Sequence, residues 1–209
     1  MKNDKLILFD WGNIVESHQT GYTCYNGWND LIEACGYKYK EDTILKEIKK
    51  YKICSIKSIE EFKETYKMMQ EEFSLNKSFD EFVKLHKEIT DKIDYYKDVS
   101  DYEKSLKDKC KIGIFSNLTI FDKERLDKQV DLSKYDYVFL SYEYGFQKPE
   151  IEIYKIVQEK VGVKPEDILF IDDAEKNINT AKEMGWNTLQ ITGLQLDVIK
   201  EECEKFLNK

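Results

Sequence analysis

Three polar groups in this chain follow directly on short apolar runs and a fourth stands a loop beyond another, and their types suit the binding of an anion and a hard cation. Asp10 follows Leu6–Phe9, which sets a carboxylate at the end of an apolar segment, where open α/β sheets bind their ligands. Ser116 and Asn117 close Ile112–Phe115, so a hydroxyl, a carboxamide and the backbone N–H groups beyond them form a turn able to hold phosphate oxygens. Lys148 stands immediately before Pro149, a residue that can open a helix, after the run Tyr137–Leu140. Asp172 and Asp173 close Ile168–Ile171, and adjacent carboxylates repel each other unless hydrogen bonds or a cation compensate. Magnesium fits that demand best, because it takes one or two protein carboxylates and completes its octahedron with water and substrate phosphate. Taken singly, each group also has an ordinary structural reading. Asp10 reads as a turn cap, Ser116-Asn117 as a local Asx or Ser turn, Lys148 as a solvated lysine and Asp172-Asp173 as a helix cap.

The elements that must position these groups are of two kinds. Leu6–Phe9, Ile112–Phe115, Tyr137–Leu140, Ile168–Ile171 and the weaker Thr188–Ile191 are mostly apolar on successive positions, as expected of strands buried on both faces of a parallel sheet. Helical patterns over Pro149–Lys160, Ala174–Met184 (ending at Gly185) and Leu196–Leu207 alternate with them. Residues 16–95 differ in character, being charged segments with helical spacing. In EDTILKEIKKYK, Ile44, Leu45, Ile48 and Tyr51 share a face; in SIEEFKETYKMM, Ile59, Phe62, Tyr66 and Met69 do, with Ser58 and Glu61 forming a capping box. The fold class expected is therefore α/β, a doubly wound parallel sheet (Rossmann-like core) over residues 1–15 and 96–209, with an inserted α-helical cap domain at 16–95.

Composition narrows the function. The 209 residues carry 33 Lys and Arg against 41 Asp and Glu, a formal net charge of -8, which argues against a nucleic-acid partner. Hydrophobic residues make up 41%, enough for a packed core, yet no run approaches the roughly 20 apolar residues of a membrane span. No export signal precedes LILFD, and the five cysteines are odd in number with no CxxC pair, so free thiols and a cytoplasmic location are expected.

Taken in order, FDWGN, FSN, QKPE and IDDAEKNINTAKEMG resemble the four motifs of the haloacid dehalogenase-like hydrolase superfamily across essentially the whole chain. The resemblance is to its phosphatase branch, in particular the sugar-phosphatase-like group whose first motif reads FDxGN and is followed by a helical cap. That resemblance implies a magnesium-dependent phosphoric monoester hydrolase acting on a small phosphorylated substrate. It implies Asp10 as the nucleophile that becomes an aspartyl-phosphate, and Lys148 as the cation offsetting the charge of nucleophile and phosphoryl group. Magnesium would be held by Asp10, the main-chain carbonyl of Gly12 and Asp173, with Asp172 beside them and Asn177 orienting them. Ser116 and Asn117 would bind phosphate oxygens. Gly12 is a departure, since most family phosphatases carry there an aspartate that acts as general acid and base, a role contributing typically about 10²–10⁴-fold. The FDxGN group shares the departure. Glu16 and His18 follow closely, and read better as solvated residues entering the cap than as substitutes. Two alternatives follow. One is a weak or inactive relative that binds a phosphorylated ligand or a protein partner. The other, a dehalogenase attacking carbon without magnesium, would have no use for Asp172-Asp173.

Overall fold

A computed structural model describes residues 4–15, 24–38, 48–191 and 195–209. Its centre is a five-stranded parallel sheet in the order β3-β2-β1-β4-β5, with β1 Leu6–Phe9, β2 Lys111–Ser116, β3 Tyr137–Leu140, β4 Ile168–Asp172 and β5 Asn187–Gln190. Apolar side chains on successive positions make such strands, because helices cover both faces. Ile7 and Phe9 of β1 join Ile112, Ile114, Leu169 and Ile171 in one buried cluster, while Leu6 and Leu8 join Phe115, Ile168 and Phe170 in another. Alternate residues of each strand thus serve opposite layers. Gly113 is needed in β2 because a Cβ there would meet Leu8 Cδ2 at 2.8 Å and the Tyr137 carbonyl at 3.0 Å.

Among the described residues the α-helices longer than one turn are α1 Cys24–Ala34, α2 Ile59–Phe73, α3 Phe79–Thr90, α4 Lys97–Ser105, α5 Lys123–Gln129, α6 Ile151–Val161, α7 Glu175–Glu183 and α8 Leu196–Leu207. Val99 of α4 and Ile199, Cys203 and Phe206 of α8 cover one face of the sheet. Ile153, Tyr154, Val157 and Val161 of α6, with Ile178 and Ala181 of α7, cover the other. Such two-sided cover is the doubly wound arrangement expected from the alternation of strand and helix. A third cluster is built from the segment after β1. It contains Leu31, Ile32, Phe62, Tyr66, Met69, Phe73, Phe82 and Ile89, and it meets the sheet-bearing part through Ile120 and Phe121.

Several local expectations are corrected. Ile59 does not join the buried face of α2 but is 51% exposed, because the helix begins there and its fourth buried position is Phe73. Ser58 does cap α2, accepting from the Glu61 amide, but the Glu61 carboxylate turns to the Lys57 amide instead of closing the box. The complete capping box belongs to Ser78 and Glu81 at the start of α3. Pro149 does not open the next helix, which starts at Ile151 with Glu150 as its N-cap. Strand β5 begins one residue earlier than Thr188. Most of EDTILKEIKKYK, together with Glu16 and His18, lies outside the described residues; its Lys49–Tyr51 end forms a 3-10 turn. Cys35, Cys54, Cys110 and Cys203 are free thiols. Among the described residues no helix is long and apolar enough to cross a membrane.

Candidate active site

The sheet order explains why distant residues meet. The chain leaves β1 for β2 and β3 on one side and returns to β4 and β5 on the other, so the connections diverge between β1 and β4, where open α/β sheets form a ligand crevice. Phe9 pairs with Ile171 in register, and the Asp10 amide donates to the Ile171 carbonyl at 2.9 Å. Asp10 and Asp172 therefore leave adjacent strands at the same level.

Asp10 is 8% exposed, and its Oδ1 accepts from the Trp11 amide at 2.8 Å and from Ser116 Oγ at 2.7 Å. Lys148 Nζ stands 3.0 Å from the same oxygen and donates to Asp172 Oδ2 at 2.6 Å and to the Phe115 carbonyl at 2.8 Å. That ammonium also lies 5.1 Å from the ring centres of Phe115 and Phe170, so its surroundings combine carboxylates with π faces. Burial pushes Asp10 up to about 7, with Asp172 and Asp173 adding to the rise and Lys148 and Ser116 opposing it. Burial alone would pull Lys148 down, but Asp10 and Asp172 hold its ammonium above the ordinary lysine range.

Asp172 is fully buried and saturated: Oδ1 accepts from the Ala174 amide at 2.8 Å, and Asn177 Nδ2 stands 3.0 Å from each oxygen. Asp173 lies further out, and Asn13 Nδ2 donates to its Oδ2 at 2.6 Å. Burial raises Asp173 above its usual range, opposed first by that Asn13 bond. Oxygens of Asp10, Asp172 and Asp173 all lie within 4.8 Å of one another. Three carboxylates against one ammonium leave an excess of two negative charges when all are ionised, and all the donors are oxygen. This is the donor set a hard divalent cation takes.

The residues singled out in the sequence are thus brought together: Asp10, Gly12 in the following turn, Ser116, Lys148, Asp172, Asp173 and Asn177. The Asn117 side chain reaches the main chain of Lys148. Its Nδ2 donates to the Lys148 carbonyl and its Oδ1 accepts from the Lys148 amide, both at 2.8 Å, so the carboxamide holds the lysine's backbone. Two participants were not singled out. Asn13 sits at φ 59 beside Asp173, and asparagine tolerates this left-handed conformation better than other non-glycine residues, a signal present in the FDWGN string. Cys54, from the 3-10 turn Ile53–Ser55, carries no sequence signal. Burial pushes its thiol up to about 12, and Asp122, Lys148 and Asp10 all act on it electrostatically. A cavity of about 420 Å³ lies apart from the carboxylates, at the seam of α3 and α5, lined by His86, Phe121 and Arg125 among others.

A parallel sheet with paired carboxylates and a buried lysine at its switch point defines an α/β architecture in which oxygen donors and one fixed cation surround a buried carboxylate. The chain belongs to the haloacid dehalogenase-like hydrolase family, whose model matches residues 7–191. A D-ribitol-5-phosphate phosphatase of Bacteroides thetaiotaomicron is 40% identical over 55 residues, 26% of this chain and 27% of that protein. A glyceraldehyde 3-phosphate phosphatase of Methanocaldococcus jannaschii is 34% identical over 83 residues, 39% of this chain and 36% of that protein. The matches to these curated relatives therefore span about a quarter to a third of their length. Among solved structures, a HAD family enzyme of Bacteroides thetaiotaomicron, crystallised with magnesium and inorganic phosphate, superposes with a TM-score of 0.72. It is 21% identical, and the overlap covers 94% of this chain and 99% of that one.

Proposed function

We propose that the chain is a magnesium-dependent phosphatase of a small phosphorylated metabolite, such as a sugar phosphate, working through an aspartyl-phosphate on Asp10. The observation that carries the reading is the buried carboxylate of Asp10, held against the Lys148 ammonium and flanked by Asp172 and Asp173 at the switch point. Oδ1 of Asp10 is occupied by three donors, which leaves Oδ2 as the oxygen to attack phosphorus. As that P–O bond forms, the bond to the alcohol oxygen breaks; water then cleaves the acyl phosphate and returns Asp10 as carboxylate. Lys148 offsets the charge brought together by carboxylate and phosphoryl group, and Asn117 fixes the lysine's backbone. Asp10, the Gly12 carbonyl and Asp173 would hold magnesium, which supplies charge neutralisation of the phosphoryl oxygens when bound. The Ser116 hydroxyl gives its one hydrogen to Asp10, and the Leu118 and Thr119 amides give theirs to Ser141 and Asp122, so the Asn117 amide is the donor this turn keeps for those oxygens. Identity of the curated relatives as phosphatases of phosphorylated polyols and trioses supports this substrate class.

Residues 16–95 act in this reading as the cap that closes on the substrate. Its 3-10 turn is docked on the other part of the chain by Ser141 Oγ donating to the Cys54 carbonyl at 2.5 Å and by the Lys52–Glu150 ion pair. The test is a panel of phosphate esters assayed with magnesium and with EDTA. Magnesium-dependent phosphate release that Asp10→Asn abolishes is expected, whereas release by Asp10→Asn would remove the nucleophile from the account.

Gly12 favours a second reading, a protein that binds a phosphorylated ligand without turning it over. Among the described residues a Cβ at Gly12 would meet nothing within 4 Å, so Gly12→Asp can be built. A marked gain in rate in that variant supports the enzyme; ligand binding without turnover in both forms supports the binder.

A further inference from the structure

We propose that Asn13 is a catalytic residue of the hydrolytic half-reaction: its carboxamide oxygen holds the water that attacks the phosphorylated Asp10. The inference rests on the aspartyl-phosphate reading above and deepens it. Asn13 stands next to the position where the acid/base aspartate is missing, and four features of it converge. Its Oδ1 is buried and has no hydrogen-bond partner among the described residues, a costly state for an amide oxygen. Its Nδ2 is committed to Asp173 Oδ2 at 2.6 Å, which fixes which end of the amide is which, because a flipped amide would set oxygen against carboxylate. Being on the same carboxamide, the free Oδ1 is within a few ångströms of Asp173, whose oxygens lie within 4.8 Å of those of Asp10. Its backbone holds φ 59, a left-handed conformation whose persistence in a non-glycine residue marks a site where the surroundings over-determine the geometry.

Next to it, the place a side chain would fill at Gly12 is open, with nothing among the described residues within 4 Å of a Cβ. The turn thus has open space at Gly12 and an unused acceptor on the next residue. An amide oxygen cannot take the proton, but it can accept a hydrogen bond and aim a water in line with the bond to be broken, as a glutamine does in nucleotide hydrolysis. The water oxygen forms a bond to phosphorus, the P–O bond to Asp10 breaks, and Asp10 leaves as carboxylate. One water proton passes to a phosphoryl oxygen, giving dihydrogen phosphate. No protein base is consumed in this half-reaction.

The experiment separates this role from that of holding Asp173. Asn13→Gly suits the observed φ and removes the side chain; Asn13→Ser serves if that variant folds poorly. Full-length protein is mixed with magnesium and p-nitrophenyl phosphate, quenched, and weighed intact, while released nitrophenol is followed in time. The expected result is a burst of nitrophenol, chain carrying one phosphoryl group in place of the mostly unmodified wild type, and a steady state slower by about 10²-fold. Gly12→Asp added to Asn13→Gly should clear the accumulated adduct. An active wild type whose Asn13 variants accumulate no adduct, and merely lose the magnesium-dependent rise in Tm, overturns the proposal and leaves Asn13 as a support for Asp173. A wild type that releases no phosphate and forms no adduct overturns the phosphatase reading itself, and with it this one.

Discussion

Lys148 is the residue on which the site's charge balance turns. It is 2% exposed and is the one cation within reach of both Asp10 and Asp172 among the described residues. Removing one partner of a buried ion pair leaves the other uncompensated, at a cost of about 3–5 kcal/mol. Lys148→Met keeps an apolar stem between Phe115 and Phe170, so packing survives while charge is lost. Its unfolding midpoint in urea with EDTA should drop accordingly, with activity lost as well; an unchanged midpoint would mean that the carboxylates are satisfied without the lysine. Asn177 and Ser116 act at the same scale, each spending its hydrogen bonds on a carboxylate. The motif string names all of these residues. It does not reveal that Asn117 spends its carboxamide on the Lys148 backbone, because residues 31 apart are matched by strand register and not by spacing.

Among the elements, α4 carries an unusual burden. Glu103 on it is 0% exposed, its Oε2 accepts from Tyr135 Oη at 2.6 Å, and its Oε1 has no hydrogen-bond partner among the described residues. Burial pushes this acid up to about 8, against an ordinary 4.5, with the Tyr135 bond opposing the rise. A folded-state value raised above the unfolded one means that the unfolded chain ionises first. The stability contributed by the neutral acid is thus complete below about 4.5 and is lost as pH rises through about 8. Glu103→Gln, which stays neutral, should match the wild type near pH 5 and exceed it by a few kcal/mol near pH 9 in denaturant melts. A difference that does not grow with pH would show that Glu103 titrates normally. Nothing in the string DYEKSLKD singles out Glu103 from its charged neighbours; only the packing of α4 and Tyr135 against the sheet does so. The capping at Ser78 was equally hidden, since Ser58-Glu61 has the same spacing and forms only half the box.

At the scale of the molecule, two sheet-covering clusters and one helical cluster meet through a small seam. Phe62, fully buried in the helical cluster, packs against Phe121 at a ring-centre distance of 4.8 Å and against Phe82 at 6.0 Å. Phe62→Ala should cost about 3–5 kcal/mol. If residues 16–95 form a cap with its own core, hydrogen exchange will accelerate in α2 and α3 while β1, β2 and β4 stay protected. Uniform acceleration across the sheet would mean one cooperative unit. A net charge of -8 would make the molecule as a whole a poor host for an anion. The site resolves the matter locally, since its carboxylates suit a divalent cation and Lys148 adds a fixed positive charge.

By itself the sequence determined the strands, the alternation of strand and helix, and the polar groups at or beyond the strand ends, because apolar periodicity and strand-end chemistry are local properties. Only the tertiary structure decided which of those groups touch. The order β3-β2-β1-β4-β5 sets Asp10 beside Asp172 across a separation of 162 positions, and the turn after β1 brings Asn13 to Asp173. Contact across such distances follows from strand register and from the divergence of connections at the switch point, which leave no periodic trace in the chain.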